Sequence, residues 1–185
     1  MRTLTRRAAI SMAAAAMFLG CERDPVRVEH ADMTRSAVTV GTAAVQTTAA
    51  SGTFTQTAIT SFDVKTPGPS TIIHQTAVGT ITGTLTGHFD DSLKVVIHPN
   101  GKFDAHVTIT CVCTVDGKLG VLEIVAGDTG ELVSPALAKF SGRAVISGGT
   151  GPLTRLRGVL QIEGTVDVTT SLATYSYTGD IHFAH

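Results

Sequence analysis

The sequence has no tryptophan, two tyrosines and seven phenylalanines in 185 residues, so aromatic side chains make up only 5% of it. Charge is scarce too: 16% of residues are charged, and 14 basic against 15 acidic side chains leave a net charge of -1. A nucleic-acid surface needs a basic stripe with stacking aromatics among it. Here Lys and Arg are scattered, and no nucleic-acid partner is expected. No Gly-x-Ser-x-Gly elbow occurs, which removes the commonest signature of a Ser-His-Asp hydrolase. Beyond the N-terminus no apolar run approaches the roughly 20 residues of a membrane-spanning helix. After residue 50 there is also no helix-length amphipathic stretch free of Gly and β-branched residues. What remains is 43% apolar residues, enough for one core.

The N-terminus carries an address. Arg2, Arg6 and Arg7 precede an apolar run, Ala8–Leu19, and Gly20-Cys21 follows. That order is the order of a signal peptide, and the run is too short to stay in a bilayer as a spanning helix. Residues 1–20 are therefore read as the signal. Phe18-Leu19-Gly20-Cys21 resembles the lipobox of bacterial lipoproteins, although Leu usually stands where Phe18 is and a small residue where Leu19 is. The resemblance implies a lipidated Cys21, a membrane as partner, and a place in the cell envelope on the exported side. Thr5-Arg6-Arg7 resembles the start of a twin-arginine signal, with Ala9 where that motif prefers Phe. Residues 21–50 have no sustained period and are rich in Thr, Ala, Ser and charge, the composition of a disordered tether.

Three cysteines are an odd number for an exported chain, and a lipidated Cys21 leaves Cys111 and Cys113. At i and i+2 of a strand they share a face about 6.5–7 Å apart, at the upper limit for a disulfide. Bridging them calls for a bulge. Otherwise they are two buried thiols, and no neighbouring ligand set suggests a metal.

From residue 51 to the end, β-formers alternate with polar residues between Gly- and Pro-containing turns. The strands are expected at Ser51–Ser61, Thr71–Gly87, His88–His98, Lys102–Val115, Leu119–Ala126, Ala138–Ser147, Gly158–Thr169 and Ala173–Ala184. Loops are expected at Thr66-Pro67-Gly68-Pro69 and Gly127-Asp128-Thr129-Gly130, with hairpin turns at Pro99-Asn100-Gly101 and Asp116-Gly117. One-sided antiparallel strands joined by short turns curl until their apolar faces meet. The fold class is all-β: an antiparallel closed barrel of about eight strands over 51–185, with a sandwich as the alternative.

Several segments resemble a bacterial domain-of-unknown-function family, number 3224, grouped with the allene oxide cyclase and dirigent barrels. They are Gly52-Thr53-Phe54, His98-Pro99-Asn100-Gly101, Gly148-Gly149-Thr150-Gly151-Pro152-Leu153 with Leu156-Arg157-Gly158, and Tyr175-Ser176-Tyr177-Thr178-Gly179. The resemblance implies an eight-stranded barrel whose lumen holds a small hydrophobic ligand. None of the cyclase's catalytic residues maps onto this chain one by one. The Gly-Gly-Thr-Gly segment is expected to shape a tight loop at the barrel rim.

Three residues are candidates for polar groups in the lumen. Tyr175 and Tyr177 share parity with Ile181 and Phe183, and Glu123 lies in an apolar run with Val121 and Val125 at its own parity. An inward Glu123 would be an acid with a raised pKa. Histidines lie on different strands and turns, so no metal site is expected, and no cofactor. The functional readings are a ligand-binding barrel, a cyclase or isomerase acting on a confined apolar substrate, and a structural homo-oligomer of the envelope.

Overall fold

The computed structural model describes residues 46–184. The signal segment, Cys21, most of the tether and His185 lie outside them. Eight strands run in chain order: β1 (Thr48–Lys65), β2 (Thr71–Gly83), β3 (Leu85–Ile97), β4 (Lys102–Val115), β5 (Lys118–Ser134), β6 (Leu137–Gly149), β7 (Leu156–Asp167) and β8 (Leu172–Phe183). Each pairs antiparallel with the next, and β8 returns to β1, with Phe54 opposite Tyr175. The closed antiparallel barrel expected from side-chain parity is the fold found, and a sandwich is ruled out by the β1–β8 ladder. Closure pairs every strand on both sides for at least part of its length, and β1 beyond Thr55 is left paired with β2 alone.

Inward positions alternate along each strand. On β4 they are Phe103, Val107, Ile109, Cys111 and Cys113, with Lys102, Asp104 and His106 outside. Eight strands leave an interior that side chains can just fill. Its centre is Phe54, stacked on Tyr175 at 4.9 Å and meeting Phe89 and Tyr177 edge-on at 5.3 and 5.4 Å. So many rings fit because glycines face them across the ladders: Gly79 opposite Phe89, Gly130 opposite Phe103 and Gly164 opposite Tyr175. A Cβ at Gly79 would land in the Phe89 ring.

The two ends differ. At one end the β6–β7 connection folds into a single 3₁₀ turn, Gly151–Leu153, whose Leu153 is fully buried with Leu122 and Leu156. Thr150 fastens this plug to β5, its N–H donating to Val121 O at 2.8 Å and its Oγ1 accepting from Val121 N at 3.2 Å. Gly151 turns the chain with φ +56, and Gly149 lies so close to the Leu153 backbone that no Cβ fits. The Gly-Gly-Thr-Gly segment thus shapes the rim as expected, and closes it. At the other end the turns after β1, β3, β5 and β7 leave an opening.

Four sequence expectations need correction. Thr71–Gly87 is not one strand: it turns at Gly83-Thr84, where Gly83 has φ +103 and Thr84 N donates to Ser51 O. Ile81 and Leu85 both face inward across that turn, so the alternation runs through it unbroken. Gly127–Gly130 is not a loop but the middle of β5, paired on both sides. The first strand begins at Thr48 rather than Ser51, because Thr48–Ala50 pair with Gly179–Ile181. Finally, Cys111 and Cys113 are joined as a disulfide with Cα atoms 5.4 Å apart, and β4 keeps its register with both neighbours. A local tightening of the strand brings the two cysteines together without a bulge, where the sequence offered two buried thiols as the alternative.

Candidate functional site

The open half of the barrel holds a cavity of about 150 Å³. Its walls are apolar, including Leu93, Val107, Ile109, Phe140 and Ile162, and its polar groups are few: Gln56, Gln75, Asp91, Asp128, Ser171 and Tyr175. Around the mouth stand exposed apolar side chains, Phe62, Leu132 and Val168, with Val64 and Val133 beside them. A larger depression of about 920 Å³ crosses the outside of the barrel near His98, Glu131 and Glu163, but it is wide open and polar. Enclosure singles out the lumen.

Asp91 comes from the middle of β3, at the inward parity of Phe89 and Leu93. Its Oδ2 accepts from Gln56 Nε2 at 2.7 Å and its Oδ1 from Ala77 N at 3.1 Å. Gln56 is itself held, its Oε1 accepting from Ala173 N at 2.9 Å. β1, β2, β3 and β8 therefore share one buried polar network. Burial pushes the Asp91 carboxyl up to about 6, against the lowering effect of its two donors, with neighbouring Asp90 adding to the rise.

Asp128 comes from the stretch of β5 that reads as a loop. It is only 6% exposed, and its Oδ1 has no hydrogen-bond partner. It lies opposite Gly142 of β6, and a Cβ at Gly142 would strike the carboxylate, so the glycine makes the space the acid occupies. Burial pushes Asp128 up to about 6 as well.

The two tyrosines point inward, but they differ. Tyr177 Oη accepts from Leu85 N at 2.9 Å and donates to Thr82 O at 3.2 Å, tying β8 to the β2–β3 turn. Tyr175 lines the cavity, packed between Phe54 and Phe140. Burial holds its phenol well above the ordinary value, and the negative charge of Asp91 and Asp128 raises it further. Tyr177 is spent on the fold, whereas Tyr175 faces whatever enters.

Glu123 is not a lumen group. It is exposed, because the inward parity of β5 is that of Leu122, Ile124, Ala126 and Asp128. Val121 and Val125 share its outward side. The two carboxyls that do face the lumen carry a parity signal in the sequence: Asp91 stands at the parity of Phe89 and Leu93, and Asp128 at that of Ile124 and Ala126. Among the described residues no cluster of three or more His, Cys, Asp or Glu could hold a metal.

No family model matches the chain, and no curated protein does. Solved structures do. The pterocarpan synthase dirigent protein GePTS1 is 17% identical, with a TM-score of 0.46 over 75% of this chain and 92% of that one. The pterocarpan synthase dirigent protein PsPTS1 is 16% identical, with a TM-score of 0.44 over 76% of this chain and 97% of its own.

Proposed function

We propose that this is an exported barrel, held at the cell envelope through lipidated Cys21, that binds one small, mostly apolar molecule carrying a polar head. The observation that carries the reading is Asp128: a buried carboxyl in the wall of a largely apolar cavity, with no hydrogen-bond partner for its Oδ1. Buried polar atoms are nearly always paired, and an unpaired one in a cavity wall is supplied by what the cavity holds. The volume of about 150 Å³ suits a single ring or a short chain, and the apolar rim lets the rest of a longer molecule lie across the mouth.

The sequence makes the test direct. There is no tryptophan, and both tyrosines lie inside the barrel, so tyrosine emission comes from its interior, with Tyr175 at the cavity wall. The full chain, purified gently and sprayed intact in native mass spectrometry, is expected to carry an adduct whose removal changes tyrosine emission. An adduct-free protein whose emission no small apolar molecule alters would refute the reading. Lipidation has its own test: labelled palmitate should enter the wild type and not Cys21→Ser.

A second reading, a cyclase or isomerase, is favoured by the acids themselves. Two carboxyls that ionise near neutrality and face one cavity can serve one as acid and one as base. Recovery of the bound molecule chemically altered by wild type but unaltered by Asp128→Asn would establish it.

A further inference from the structure

We propose that the ligand is a small lipophilic amine, bound with its ammonium against Asp128 and Asp91 and its apolar part among Phe103, Phe140 and Tyr175. This rests on the reading of the lumen as a ligand site. It follows from what the lumen pairs and fails to pair.

The cavity wall carries two carboxyls and no Lys, Arg or His. Element by element, the polar groups that line the cavity with Asp128 are Gln56 from β1, Gln75 from β2, Asp91 from β3, Ser171 from the β7–β8 turn and Tyr175 from β8, with only apolar side chains from β4, β6 and β7. The cations nearest in sequence register, His106 on β4 and Lys139 and Arg143 on β6, are exposed on the outer face. A buried carboxylate is normally matched by a cation or by several donors. Asp91 has two donors, Gln56 and Ala77 N, and Asp128 Oδ1 has none.

A ligand hydroxyl would give one hydrogen bond and leave the charge uncompensated. A ligand carboxylate would add a third negative group. An ammonium supplies three donors and the missing charge at once, and the aromatic faces beside it attract a cation in their own right. Asp91 and Asp128 both ionise near pH 6 in the empty barrel, so a cationic ligand should bind best once they have lost their protons.

Three ligands of matched shape separate these cases: phenethylamine, phenethyl alcohol and hydrocinnamate, titrated into the full chain by calorimetry and tyrosine emission. Above about pH 7 the amine should bind at least tenfold more tightly than the alcohol, and hydrocinnamate weakest of all. If one acid must be ionised with a pKa near 6, amine affinity should fall about tenfold from pH 7 to pH 5, and alcohol affinity should not. Asp128→Asn should lose most of the amine's advantage over the alcohol and keep only the pH dependence that Asp91 contributes. Equal affinity for amine and alcohol in wild type, or an amine affinity that does not change with pH, overturns the amine while leaving the lumen as a binding site. Failure of all three to bind or to shift emission overturns both readings. The wild-type pH profile decides the matter even if the variant misfolds.

Discussion

At the scale of single residues, the lumen separates acids by what they touch. Asp128 has an ordinary pKa of 3.8 and one of about 6 in the fold. Between those values the folded chain keeps a proton that the unfolded chain has lost. The resulting stabilisation is complete below about pH 4 and declines as pH rises through about 6. Asp128→Asn should therefore raise the stability of the free protein above about pH 7, by about 1–2 kcal/mol because the open mouth screens part of the burial penalty. The gain should vanish in acid, as thermal melts of both proteins across that range would show. Asp91→Asn should not behave this way, since an amide cannot accept from both Gln56 Nε2 and Ala77 N, and the variant loses stability at every pH. The tyrosines divide similarly. Tyr177→Phe strands the buried Leu85 N–H and should cost about 1–3 kcal/mol in chemical denaturation. Tyr175→Phe should change stability little and ligand affinity more.

Strands and turns show what could be read in advance. Alternation along β3, β4, β7 and β8 was plain in the sequence, because water meets one side of a closed sheet and the other side of each strand must be apolar. The inward tyrosines followed from the same parity. Glycine hid the rest. In Gly127-Asp128-Thr129-Gly130 a turn signal and a space-making signal look alike, and only the partner strand tells them apart: Gly130 clears the Phe103 ring rather than bending the chain. β1 adds a second kind of concealment. Register shifts around Thr57 and Thr60 turn Ile59 inward in place of Ala58 and then restore the original parity, so Phe62 reaches the mouth. No local pattern announces such a pair of bulges. The plug was legible as a rim motif but not as a closure, since the depth of Leu153 depends on the close approach of β5. Leu153→Ala should cost about 2–5 kcal/mol and leave ligand affinity nearly unchanged, because the cavity lies at the other end. Denaturation and calorimetry on one variant would check both halves of that statement.

As a whole molecule, the barrel has one interior shared by all eight strands and no sub-unit that could keep its core if the ring opened. Backbone ellipticity and tyrosine emission should therefore change together in one transition, with a single midpoint in urea. Separate midpoints would mean that the lumen loosens while the sheet persists. The apolar side chains at the rim, Phe62, Leu132 and Val168, border the cavity beneath them, and under the proposed reading they serve the same ligand.

The chain enters the barrel at Thr48, beside Ile181, which places its first strand residue at the plugged end. The aperture therefore opens at the end of the barrel opposite the point where the chain enters it.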